Sequence, residues 1–128
     1  MAPAAAARWI RSLQRSGKKV VFTNGVFDLI HSGHVTYLEQ ARNLGDALVV
    51  GLNSDASTRR LKGPSRPLVT LKDRAKVVAS LGAVDCVTWF EDDTAAPILG
   101  KLKALVYVKG GDYDIRTIPE YEVVSSYG

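Results

Sequence analysis

The sequence predicts an α/β fold, a Rossmann-like open parallel sheet with helices on both faces. Three observations carry that expectation. Short β-branched runs recur along the chain, helical apolar spacing separates each run from the next, and polar or glycine-rich stretches follow the runs. Strands alternating with helices in this way pair in parallel through right-handed crossovers, and such a sheet has to be covered on both sides.

The first element is a helix with Trp9, Ile10 and Leu13 on its buried side. Its surroundings are basic, because Arg8, Arg11, Arg15, Lys18 and Lys19 all precede the first acid, Asp28. An alanine- and arginine-rich start resembles an organellar transit peptide in composition. It lacks a continuous apolar core, however, and leads straight into a strand, so it reads as an ordinary helix. Val20-Val21-Phe22 is that strand. Val35, Leu38, Ala41 and Leu44 then repeat every three residues until Gly45, which is expected to close the helix. Ala47-Leu48-Val49-Val50 completes a βαβ unit. Leu71, Ala75 and Val78 share the next helical face, and Val84 to Phe90, interrupted by Asp85, forms the third strand. Ile98, Leu99 and Leu102 mark a further helix, and Leu105-Val106-Tyr107-Val108 a last strand with Gly110-Gly111 behind it.

The 128 residues suffice for one domain with one core, and 46% hydrophobic with 23% charged residues is a globular composition. No apolar run approaches the roughly 20 residues that cross a bilayer, so no membrane partner is expected. The single cysteine, Cys86, has no partner for a disulfide and no second thiol for zinc. A cytoplasmic location follows as the expectation. A net charge of +4 raises the question of nucleic acid. Recognition-helix, zinc-finger and stacking-aromatic patterns are all missing, and a small anionic substrate accounts equally well for the surplus. No nucleic-acid partner is expected.

In open sheets of this class, ligands bind beyond the carboxyl ends of the strands, where strand order reverses. The loops to inspect are Thr23-Asn24-Gly25-Val26-Phe27-Asp28, Asn53-Ser54-Asp55 and Lys109-Gly110-Gly111-Asp112. The chain's two histidines, His31 and His34, lie at the entrance to the helix that follows the first of these loops. Gly33 between them lets the backbone approach a ligand, and the free amides of a helix start favour an anion. Either ring can then donate an N–H to phosphate oxygens, stabilising charge without acting as a nucleophile. The competing patterns fit poorly: there is no Gly-x-Ser-x-Gly elbow, no Walker or dinucleotide glycine motif, and too few ligands for a zinc site. A purely structural alternative makes both histidines helix caps.

The stretch from Thr23 to His34 resembles the Gly-x-Phe-Asp-x-x-His-x-Gly-His motif of cytidylyltransferase-like nucleotidyltransferases. Within that superfamily, Leu61 to Leu68 and Val108 to Tyr113 resemble the D-glycero-β-D-manno-heptose 1-phosphate adenylyltransferases, as do Tyr37 to Arg42 and Asn53 to Ser57. The resemblance runs from about Trp9 to the end. Family members continue through another strand into a Ser/Thr-rich helix start that helps hold the triphosphate. This chain stops at Gly128, so the expectation is a single domain, 1–128, that lacks or does not show its C-terminal segment.

What the resemblance implies is transfer of AMP from ATP to heptose 1-phosphate, giving ADP-heptose and pyrophosphate for lipopolysaccharide core synthesis, with Mg2+ as the ion of ATP. His31, His34 and Lys62 are the expected catalytic residues. Thr23, Asn24, Gly25, Phe27, Gly33, Arg66, Lys109, Gly110 and Gly111 are the expected nucleotide contacts, with Lys62 and Arg66 on a mobile loop that closes over the phosphates. Asp28, Asn53, Asp55, Arg74 and Asp112 are candidates for substrate or metal. Several of these stay open on sequence alone. Asp28 either meets the metal or accepts backbone N–H groups to fix a turn, Lys62 and Arg66 either hold phosphate or are solvated loop charges, Arg74 either reaches substrate or pairs with a carboxylate, and Asn53 and Asp55 either touch ligand or cap a helix. Alternatives at the level of function are a cytidylyltransferase acting on glycerol 3-phosphate or ethanolamine phosphate, and a nucleotide-binding module without catalysis. A symmetric homodimer is compatible with such folds.

Overall fold

A computed structural model describes residues 1–104 and 106–109 of the chain. Four parallel strands, β1 (Val20–Gly25), β2 (Ala47–Asn53), β3 (Cys86–Phe90) and β4 (Val106–Val108), form one sheet in the order β3-β2-β1-β4. The register pairs Val20 with Ala47 and Val49 with Cys86, and on the other side of β1 it pairs Val21 with Val106. The chain steps outward from β1 to β3 and then returns to the far side of β1. Strand order therefore reverses between β1 and β4, the place where an open parallel sheet leaves a crevice at its carboxyl end.

Because side chains alternate along a strand, the sheet builds two cores. Val20, Phe22, Val49, Cys86 and Phe90 pack under α1 (Pro3–Arg15) and α5 (Ala96–Leu102), where Ile10 is buried and Trp9 and Leu13 are partly buried against the same cluster. Val21, Leu48, Val50, Leu52 and Val87 face the other way, onto α2 (Ser32–Arg42) and α4 (Leu71–Ala79) through Leu38, Ala41 and Val78. α1 and α5 are also tied by polar groups. Arg11 donates to the carbonyls of Leu102 (2.7 Å) and Lys101 (3.2 Å), and Gln14 to that of Lys103 (3.0 Å). These are carbonyls at the end of α5, where a cation also suits the helix dipole.

The α/β expectation holds, with local corrections. A helix that the sequence allowed only as the capped alternative for Asn53 and Asp55, α3 (Asp55–Lys62), follows β2 directly. Ser54 caps it by accepting from Ser57 N–H at 3.1 Å, so Asn53 ends the strand and Asp55 begins the helix. Its sequence is polar and short of apolar periodicity, which hid it. Lys62, expected in a mobile loop, is the last residue of that helix. α2 ends at Arg42, and Leu44 is 53% exposed rather than part of the buried face. Asp46 and Lys19 exchange two 2.7 Å hydrogen bonds that set the start of β1 beside β2, so residues 43–45 have to turn. Gly45 serves that approach and does not close the helix: a Cβ there would lie 2.7 Å from the Lys19 carbonyl oxygen. β3 begins at Cys86, after Val84 and Asp85. Among the last strand's expected residues, Leu105 lies outside the described residues.

Candidate active site

The carboxyl ends of the strands open into a cleft of about 1090 Å³ whose lining includes Asn24 and Gly25 from β1, Asn53 from β2 and Lys109 after β4. His31, Gly33 and His34 form one wall, and Lys62 and Arg66 stand on another. Three of the sequence-selected segments thus meet at the reversal point, although they lie far apart along the chain.

The histidines are held by the helix they introduce. His31 is the N-cap of α2 with extended backbone, and its Nδ1 accepts from Gly33 N–H at 3.0 Å. His34 returns the arrangement, its Nδ1 accepting from His31 N–H at 3.2 Å. This is a capping box made from two imidazoles. A ring nitrogen that accepts carries no proton, so each neutral ring bears its proton on Nε2 and can donate there to a ligand. The cap and the anion-donor readings are therefore compatible, since the cap uses only Nδ1. Gly33 is required by this packing, because a Cβ would lie 2.7 Å from His31 Cε1. The two rings lie 4.1 Å apart between centroids, and the edge of Phe27 meets His34 at 5.3 Å. Phe27 adopts φ 50°, a left-handed conformation uncommon for an aromatic residue, which carries its ring to that contact. Partial burial first, then repulsion from His31, lowers the His34 pKa below its ordinary value.

Asp28 lies at the cleft edge, and its oxygens are engaged. They accept from Leu68 N–H (2.8 and 3.0 Å) and Val69 N–H (2.8 Å) and pair with Arg66 (3.1 Å). Of the readings open for it, the geometry favours backbone fixation, though of a distant loop and not of its own turn. Burial raises its pKa, but the two backbone N–H groups and Arg66 outweigh that and leave it lowered. Arg66 faces the cleft already paired, whereas Lys62 has no ion-pair partner among the described residues.

Arg74 is completely buried and does not line the cleft. It ties the post-strand loops together by donating to the carbonyls of Val69 (2.8 Å), Val26 (2.8 Å) and Asn53 (2.9 Å) and to Asp55 (2.7 Å). Asp55 also accepts from Leu71 N–H at 2.9 Å, at the start of α4. Neither residue lines the cleft, and both position the loops that do. Thr23 is likewise fully buried, outside the lining. Its hydroxyl meets Tyr37 Oη (2.6 Å) and the Val108 carbonyl (2.7 Å), pinning β4 to β1 and α2. Asn24 and Gly25 line the cleft, and Asn24 Oδ1 accepts from the Tyr107 hydroxyl. Gly110, Gly111 and Asp112 lie outside the described residues.

The sequence reading missed a fourth wall, formed by Asp93, Thr94 and Ala95, together with Tyr37 and Leu61. The signal for the wall was available, because Glu91 to Thr94 follow the third strand just as the inspected loops follow the other three. Among the described residues no three acidic, histidine or cysteine side chains come together as a metal site, and no helix is long and apolar enough to cross a membrane.

Comparison with known proteins agrees with this architecture. The cytidylyltransferase-like family model matches residues 22–128. The chain is 58% identical over 112 residues to the "Bifunctional protein HldE" of Hahella chejuensis, covering 88% of this chain and 24% of that protein. It is 54% identical over 115 residues to the "D-beta-D-heptose 1-phosphate adenylyltransferase" of Bordetella bronchiseptica, covering 89% of this chain and 71% of that one. A crystal structure of the lipopolysaccharide core biosynthesis protein from Thermoplasma volcanium superimposes with a TM-score of 0.71 at 30% identity, over 87% of each chain. The chain spans about a quarter of the length of the bifunctional relatives it matches. With the family match extending over most of the sequence and the paired-histidine helix cap at the reversal of strand order, the chain belongs to the cytidylyltransferase-like family.

Proposed function

We propose that this chain transfers AMP from ATP to D-glycero-β-D-manno-heptose 1-phosphate, releasing pyrophosphate and giving ADP-heptose for lipopolysaccharide core synthesis. The observation that carries the reading is the imidazole capping box, which leaves two Nε2–H donors at a helix N-terminus in an open cleft. The heptose and adenylyl assignments rest on the similarity to the Bordetella and Hahella proteins.

In the reaction, an oxygen of the sugar phosphate attacks the α-phosphorus of ATP in line. One P–O bond forms, the bond to the bridging oxygen breaks, and pyrophosphate leaves with that electron pair. Such a transfer needs positioning and charge stabilisation more than covalent help from the protein. His31 and His34 donate to the oxygens that gain charge, and Lys62 neutralises the β and γ phosphates. Arg66 is delivered to the same region by Asp28. Mg2+, when bound together with ATP, would supply further neutralisation of the phosphates. It is a hard cation that keeps several waters and needs only one or two carboxylates. Asp28, with its oxygens engaged, is a poor ligand for it; the other sequence candidate, Asp112, lies outside the described residues.

Incubating the protein with Mg2+, ATP and heptose 1-phosphate should release pyrophosphate and form ADP-heptose, with CTP a much poorer donor. No pyrophosphate with any sugar 1-phosphate would leave a nucleotide-binding module instead.

A further inference from the structure

The cleft carries the imidazoles of His31 and His34 and the cations Lys62, Arg66 and Lys109, yet it also presents the acceptors Asn53 and Asp93. We propose that Asn53 and Asp93 form a wall that reads the vicinal hydroxyls of a sugar ring, an inference that rests on the adenylyl-transfer reading above.

Asn53 lines the cleft while only 4% exposed. Its amide orientation is determined by its neighbours. Nδ2 donates to Ser57 Oγ at 3.0 Å, and the Ser57 hydroxyl hydrogen goes on to the Asp92 carbonyl at 2.9 Å. Ser57 therefore needs a donor from Asn53, which leaves Asn53 Oδ1 as the atom without a hydrogen bond among the described residues. Asp93 also lines the cleft, with Oδ1 on Arg60 Nε at 2.8 Å and Oδ2 unpaired among the described residues. Ser57 and Arg60 lie one helical turn apart on α3 and hold consecutive residues of the β3–α5 loop, so the wall is built before a ligand arrives.

An ionised phosphate offers only acceptors, so it is repelled by a carboxylate and gains nothing from an amide oxygen. A neutral polyol offers O–H donors, and hydrogen bonds to a charged acceptor are the stronger kind. The hydroxyls belong either to the acceptor sugar or to the ribose of ATP. Those two sources share one chemistry and are separated by which substrate responds.

Asp93→Ala should raise the KM of the substrate it contacts by roughly tenfold to a hundredfold, with kcat within about threefold. Asp93→Asn, which keeps an acceptor oxygen, should recover part of the loss. Arg60→Ala removes the loop tether but keeps the carboxylate, and should raise that KM by clearly less than Asp93→Ala does. A rise confined to the sugar 1-phosphate assigns the wall to the acceptor. A rise for ATP, with lost discrimination against 2′-deoxy-ATP or 3′-deoxy-ATP, assigns it to the ribose. Both KM values within about twofold of wild type would overturn the proposal, as would an Arg60→Ala effect equal to that of Asp93→Ala, or a change only in Mg2+ half-saturation. If the wild-type protein releases no pyrophosphate with any sugar 1-phosphate, the adenylyl reading fails separately. The wall is then tested by calorimetric binding of ATP and of glucose 1-phosphate to wild type and Asp93→Ala, with equal affinities overturning it.

Discussion

The proposed reaction gives His31 a second task, on Nε2, beside the capping of α2 by Nδ1, and a pair of substitutions separates the two. His31→Ala removes both the Nδ1 acceptor that caps α2 and the Nε2–H donor. The lost cap, which includes the 3.0 Å bond from Gly33 N–H, should lower the unfolding free energy by about 0.5–2 kcal/mol. The lost donor should slow the transfer by roughly a hundredfold to a thousandfold, about 3–4 kcal/mol in the barrier. His31→Asn keeps a good N-cap acceptor but has no group reaching as far as Nε2. Its stability should stay within a few tenths of a kcal/mol of wild type, while its rate should fall as far as that of the alanine variant. Urea unfolding measures the first quantity and single-turnover ADP-heptose formation the second. If His31→Asn turns over within about threefold of wild type, the ring is a cap alone and the proposed stabilisation of the reacting phosphate is wrong.

Further expectations follow from the same geometry. His34 has a lowered pKa, so it is neutral at pH 7 and its contribution to stability is complete above about pH 6.5, the unfolded value. As pH falls toward the folded pKa, the unfolded chain takes up a proton first and stability declines. Protonation would also place a hydrogen on the Nδ1 that now accepts from His31 N–H. The acid limb of kcat/KM should therefore lie below pH 6.5, and a limb above it contradicts the assignment. Arg74→Lys keeps a charge but cannot reproduce the fork that joins Val26, Asn53, Val69 and Asp55. It should lower the urea unfolding free energy by more than about 2 kcal/mol, and a loss under about 0.5 kcal/mol would remove its positioning role. Thr23→Val should cost about 1–3 kcal/mol in the same assay and leave the KM for ATP within twofold, because the hydroxyl serves β4 and not nucleotide. Lys62→Ala should weaken ATP binding by roughly tenfold or more with the fold intact, and unchanged affinity would make it a solvated charge.

The features that were legible in the sequence are those governed by short-range rules. Apolar spacing located α1, α2, α4, α5 and the sheet, and the two histidines flanking Gly33 identified the helix start, because a capping box is made within three residues. α3 escaped because its residues are polar and its stability comes from a serine cap and the neighbouring β3–α5 loop. Asp55 and Arg74 were visible as charged residues near strand ends or helices, but not as partners of each other.

Tertiary structure alone decided which polar groups face the cleft and which hold the scaffold. Asp28 reaches Leu68 across 40 residues, and Arg74 reaches Val26 across 48. Contacts at such separations depend on the order in which strands pair, and no local pattern encodes that order. The composition and motif of the chain determined an α/β domain with a paired-histidine helix start. Pairing of β4 on the far side of β1 then buried Thr23, and pairing of β2 with β3 brought Asn53 and Asp93 to the same cleft as the Asp28–Arg66 pair, because an open parallel sheet gathers the loops that follow its strands at its carboxyl end.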